Sequence, residues 1–211
     1  MLLSITVVYV ADQRHSHQDF IPELKDHLLT RILHRQYDTE PPAFTANNHE
    51  KVFIAGNHLQ QRYTMTIYYT MYDLRRGADK INMRGRLYVM ALSHSDPTHP
   101  YMYAQVLGIY QVKVMHPSMT HLEDRDVLWV HWLEVDQKHC AGWKAKQLYR
   151  VQFIPSNEDR AFGFLDPKDV IHSTHLIPGF AHRCIKDPPE DSVSKWNCLP
   201  ANDWQYYYIN Q

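Results

Sequence analysis

Metal or thiol chemistry in this chain would have to come from its 15 histidines and 3 cysteines. His182 and Cys184 stand two apart, which puts both side chains on one face of an extended segment, with Cys198 as a distant third ligand. These three are the candidate group for a metal. The paired short spacings of structural zinc sites are missing, however, so no metal site is assigned and solvated or singly hydrogen-bonded histidines are expected. His172 and His175, three apart, face opposite sides of a strand. His139 and Cys140 place a base next to a thiol in sequence, yet adjacent strand residues point apart, and a free cysteine usually behaves as a small buried hydrophobe.

Other catalytic patterns fail in the same way. The acids Asp73, Asp79, Asp96, Glu123, Asp124, Asp126, Glu134, Asp136, Asp166 and Asp169 are scattered and form no diagnostic pair. With 7 glycines the chain has no GxGxxG, no GxxxxGK[ST] and no GxSxG, so neither a phosphate-cradling loop nor a nucleophile elbow is expected. No catalytic residue and no cofactor is assigned, and the chain reads as a binding module rather than an enzyme.

Two segments are locally basic. Residues 75–86 hold Arg75, Arg76, Lys80, Arg84 and Arg86 against Asp79 alone, and residues 138–150 hold Lys138, Lys144, Lys146 and Arg150 with no acid. Trp143 and Tyr149 are interleaved in the second segment. If the fold brings Arg84 and Arg86 to the same rim as Lys144 and Lys146, the sum is a cationic surface with stacking groups. Arg75, Arg76, Arg84, Arg86, Lys144 and Lys146 are therefore the candidate nucleic-acid contacts. Tyr68, Tyr72, Trp129 and Trp143 are the candidate aromatic surface, with Trp129 beside Tyr68 or Tyr72 as a cation-binding wall. Trp129 and Trp132 are three apart and face opposite ways. Trp132 shares a face with Val130 and is expected to be the buried one, with Trp129 nearer the surface or under the helix.

The elements that must position these residues follow from periodicity. Residues 19–35 read as a helix, because Phe20, Leu24, Leu28 and Ile32 recur every four residues and Ile21, Leu29 and Leu33 widen the stripe. Asp19 can cap it and Pro22 suits its first turn. Residues 38–57 form a linker with an extended piece at 52–54. From residue 62 the period becomes two. Tyr63, Met65, Ile67, Tyr69 and Met71 alternate with threonines and tyrosines, and further strands follow at 84–92, 101–115, 127–135, 147–154, 170–177 and 204–209. In 101–115, Met102, Ala104, Val106, Tyr110, Val112 and Val114 share one face, and Gly108 on that face marks a bend or bulge. Strands without alternating helices predict a mainly β fold with one N-terminal amphipathic helix, a small antiparallel barrel or sandwich, and the β-barrel, BAH- or SH3-like by resemblance, is the expectation. Residues 62–177 should close it, with Met102, Ala104, Val106, Val112, Val114, Val130, Trp132 and Val151 in the core. Residues 1–18 read as an arm, 19–57 as helix and linker, 58–180 as the barrel, and 181–211 as an extended segment with a short final strand.

Composition sets the outer bounds. The chain has 211 residues, is 44% hydrophobic, and carries 22 Lys and Arg against 23 Asp and Glu. A net charge of −1 gives no bulk attraction to nucleic acid, so any such contact needs a local patch. An odd cysteine count without CxxC fits a reducing compartment, and no stretch is long and apolar enough for a membrane span.

The order of motifs adds a resemblance. Tyr72-Asp73-Leu74-Arg75-Arg76 is followed by Asp79-Lys80-Ile81-Asn82, by residues 100–110 (PYMYAQVLGIY), and by Leu128-Trp129-Val130-His131-Trp132. Gly142-Trp143-Lys144-Ala145, Phe162-Gly163-Phe164-Leu165-Asp166-Pro167 and His175-Leu176-Ile177-Pro178 complete the series. It resembles the C-terminal region of proteins encoded by Plavaka-type, CACTA-like DNA transposons of mushroom-forming fungi, over residues 20–209. The middle of the chain is similar in pattern to BAH-type barrels of chromatin proteins, through Leu87-Tyr88-Val89, residues 103–109, Val130-His131-Trp132 and Val170-Ile171. The resemblance implies a nuclear, non-enzymatic interaction module of a transposon-derived protein, binding protein or chromatin partners. The second reading is a nucleic-acid-binding module that uses the two basic segments, and the third is a remnant of a transposase or nuclease. Without the resemblance, the cytoplasm is the expected compartment.

Overall fold

A computed structural model describes residues 6–9, 20–33, 44–70, 76–83, 85, 87–93, 99–142, 144–182 and 204–210. In chain order the elements are β1 (Thr6–Tyr9), helix α1 (Phe20–Ile32), helix α2 (Ala46–Glu50), β2 (Phe53–Ile54), β3 (His58–Arg62), β4 (Thr64–Thr70), β5 (Arg76–Asn82) and β6 (Tyr88–Leu92). Then come β7 (Tyr101–Met115), β8 (Glu123–Val135), β9 (Arg150–Phe153), β10 (Phe162–Leu165), β11 (Val170–Ser173), β12 (His175–Pro178) and β13 (Tyr207–Asn210). The fold is mainly antiparallel β with an N-terminal helix, as the periodicity predicts. Neither helix is long and apolar enough to cross a membrane.

β7 is the spine. One edge pairs with β6 along its first half and with β3 and β2 along its second, and the other edge pairs with β8. β8 continues into β9 and β10, β9 into β13 and β12, and β6 into β11. Thr174 alone separates β11 from β12, so the chain itself draws the two ends of the curved sheet together into a nearly closed barrel. The segment read as an N-terminal arm contributes β1, which pairs with β3, and the short final strand expected near the C-terminus is β13, between β9 and β12. The single strand expected over 170–177 is two strands on different neighbours.

The long strand does not present one apolar face. Its register shifts between Val106 and Gly108. Before the shift, Ala104 and Val106 point into the barrel; after it, Ile109 takes the interior while Tyr110, Val112 and Val114 join the cluster under α1. A bulge inserts one residue, and one residue inverts a period of two. Gly108 sits under the Tyr110 ring, where an added Cβ would lie 2.4 Å from it. Of the expected core, Ala104, Val106, Val112, Val114, Val130 and Val151 are buried, while Met102 and Trp132 are partly buried against it.

The amphipathic stripe of α1 explains why both faces of β8 are apolar. Phe20, Leu24, Leu28 and Ile32 bury against Val127 and Trp129, while Leu128 and Val130 face the barrel interior. Each such side chain contributes about 1.5–3 kcal/mol when fully buried. Arg31 fixes the helix from its last turn: its Nε lies 2.6 Å from the Asp166 carboxylate, and it donates to the Asp126 carbonyl at 2.7 Å. Asp166 also caps the short 3-10 turn Pro167–Asp169, accepting from the Lys168 backbone N–H, in the turn that Asp-Pro predicts. Asp19, the expected cap of α1, lies outside the described residues.

Candidate functional site

Residues Arg76–Asn82 of the first basic segment form one strand of a two-stranded ribbon. β4 and β5 pair without interruption, from Thr64 opposite Asn82 to Thr70 opposite Arg76. Period two then sorts every side chain. Ile67 and Ile81 on the inner face are buried in the barrel cluster. Asp79, between them and the end of the ribbon, accepts hydrogen bonds from the Ser173 backbone N–H at 2.9 Å and its hydroxyl at 2.8 Å. The Tyr69 hydroxyl donates to Asp79 at 3.4 Å, and the Tyr69 ring lies across Gly77, its cross-strand partner, where a Cβ would approach to 2.6 Å.

The outer face is the complement. Thr66, Tyr68 and Thr70 stand opposite Lys80, Ala78 and Arg76, and all six are exposed. Tyr68 is 80% exposed, the most of any large apolar or aromatic side chain among the described residues. Its partner Ala78 is small, so the ring is bracketed along β5 by Arg76 and Lys80, two residues away on either side. Among the described residues no carboxylate pairs with Arg76 or Lys80. The one acid of this strand, Asp79, is turned to the opposite face and held there. The result is a cationic strip with one exposed aromatic ring at its centre.

The second basic segment is placed elsewhere and is partly neutralised. Arg150 donates to the Asp136 carboxylate at 2.9 and 2.6 Å, its guanidinium lies 4.4 Å over the Tyr206 ring, and its Nη1 is 3.3 Å from His182 Nε2. Burial works to raise the Asp136 pKa, but the Lys138 backbone N–H and the Arg150 guanidinium hold it below the ordinary carboxylate value. Glu134 is engaged by Gln152 and Arg160. Lys144 and Lys146 remain exposed in the β8–β9 connection.

The expected approach of Arg84 and Arg86 to Lys144 and Lys146 falls on residues that are not described. Arg75, Arg84, Arg86, Tyr72, Trp143, Cys184 and Cys198 lie outside the described residues.

Trp129 forms no exposed aromatic wall. Trp129 is 6% exposed and lies under the helix, 4.9 Å from the Phe20 ring and stacked on Phe162 at 5.9 Å. Trp132, expected to be the buried one, is partly exposed and packs against both clusters, while α1 buries Trp129 on the outer face of β8. Trp129 therefore shares no surface with the exposed Tyr68. Cys140 is exposed rather than buried, and its neighbour His139 is engaged with the Leu148 carbonyl at 3.2 Å. Among the described residues no three His, Cys, Asp or Glu side chains converge as metal ligands.

Sequence reasoning missed the inward anchor of the ribbon. Asp79 and Ser173 are 94 residues apart and no local pattern links them. No family model, no curated protein and no solved structure matches this chain.

Proposed function

We propose that the protein is a non-enzymatic interaction module whose contact surface is the outer face of the β4–β5 ribbon, and that it binds an anionic partner in chromatin. The observation that carries this reading is the sorting of charge across the ribbon. Asp79 is tied to Ser173 on the inner face, leaving Arg76, Lys80 and the exposed Tyr68 on the outer face with no described carboxylate among them. A net charge of −1 requires such local separation if the chain is to attract an anion at all. The ordered motif series supports a role as an accessory part of a transposon-derived protein acting in the nucleus, where such partners are found.

Binding of the chain to reconstituted mononucleosomes, followed by gel shift at low salt, tests the reading. Wild-type protein is expected to shift the nucleosome, and the double variant Arg76→Glu, Lys80→Glu to lose the shift while keeping its circular dichroism spectrum. No shift by the wild type, or an equal shift by the variant, contradicts the proposal.

A further inference from the structure

We infer that the ribbon's outer face is a single-stranded nucleic-acid contact, in which one base stacks on Tyr68 while Arg76 and Lys80 take the phosphates on either side. This rests on the interaction reading above and names the chemistry of the partner. A protein that needs cations alone gains nothing from a tyrosine at 80% exposure between them. A large, freely accessible ring on a rigid strand is a stacking platform, and every base has a face to offer it. In a duplex those faces are already taken by neighbouring base pairs, so the ring distinguishes single strands from double strands.

The two cations bracket the ring. Arg76 and Lys80 are four residues apart on the same side of β5, so their Cα atoms are separated by about 14 Å. Tyr68 lies opposite the midpoint, at Ala78. Long flexible arginine and lysine side chains close the remaining distance to phosphates flanking the stacked base. Thr66 and Thr70 add hydroxyls on the same face, next to Lys80 and Arg76 respectively. The platform is held in place from below: Ile67 and Ile81 are buried in the barrel, and Asp79 is bonded to Ser173. A base that docks on it meets an ordered surface and loses little further conformational entropy on the protein side.

Fluorescence anisotropy of the full chain with labelled 12-nucleotide oligothymidine, its duplex with oligoadenosine, and a 12-residue polyglutamate peptide tests the inference. Binding to the single strand is expected to exceed binding to the duplex. Its log affinity should fall with log salt at a slope of about −1.4, the value for two neutralised phosphates on a single strand. Tyr68→Ala is expected to weaken single-strand binding by roughly 10-fold or more, and Tyr68→Trp to retain it. Phe180→Ala, which removes another exposed aromatic side chain, should leave it unchanged. If the duplex binds as tightly and Tyr68→Ala has no effect, the contact is with phosphates alone and the inference is overturned. If polyglutamate binds and oligothymidine does not, the partner is an acidic protein. The inference then fails while the ribbon remains the contact surface, provided Arg76→Glu, Lys80→Glu abolishes the peptide binding. If none of the three probes binds, both readings fail.

Discussion

His27 lies one turn before Arg31 on the buried side of α1, and burial, followed by the Arg31 charge, lowers its pKa to about 3. In the unfolded chain a histidine titrates near 6.5. Between these values the unfolded state binds the extra proton, so the stability held above pH 6.5 is lost progressively as pH falls toward 3, at up to about 1.4 kcal/mol per pH unit. Urea unfolding between pH 7.5 and 4 is expected to show this slope, and His27→Leu to flatten it. A slope unchanged in the variant would assign the acid sensitivity to other groups. His27 stands seven residues after Phe20 and so on the apolar stripe of α1, and it is the helix, not the residue type, that separates it from the exposed histidines. The two tryptophans make the same point. A spacing of three does place Trp129 and Trp132 on opposite faces, but which face is buried depends on α1, which packs across from a distant part of the chain.

Elements were more legible than residues where one rule governed a whole stretch. The four-residue apolar period of α1 and the alternation of β4 and β7 were readable because each pattern repeats over several turns or pleats. The sequence does not mark β5 as a strand. Its inner face carries Gly77 and Asp79, and its outer face Arg76 and Lys80, so the apolar alternation that marks a strand is reduced to Ile81. What makes β5 a strand is its partner and its anchor, neither of which is local. The parity inversion in β7 was hidden because Gly108 signals a bulge without saying which residues change face. The anchor itself can be tested. Asp79→Ala leaves the Ser173 N–H and hydroxyl without their acceptor and is expected to cost about 1.5–3 kcal/mol. Hydrogen exchange should quicken in β4 and β5 and stay unchanged in the β7–β8 pair. Equal acceleration across the barrel would mean that the ribbon has no separate anchorage.

At the scale of the whole molecule, the barrel closes because Thr174 is the lone residue between strands that belong to opposite ends of the sheet. The same closure carries Ser173, the last residue of β11, to Asp79 and so holds the ribbon against the barrel wall. Fold class followed from sequence, since short alternating strands without interleaved helices have few other solutions. The candidate site did not, since it depends on which side of a ribbon an acid occupies. Net charge could not reveal it either, because a total of −1 is compatible with any arrangement of 22 cations and 23 anions. The central claim is that the outer face of this ribbon meets the partner, and hydroxyl-radical footprinting of Tyr68 measures that contact directly. With saturating oligothymidine, Tyr68 oxidation is expected to fall several-fold relative to the free protein while Phe180 stays as reactive as before. A complex that forms with Tyr68 still fully reactive would contradict the account.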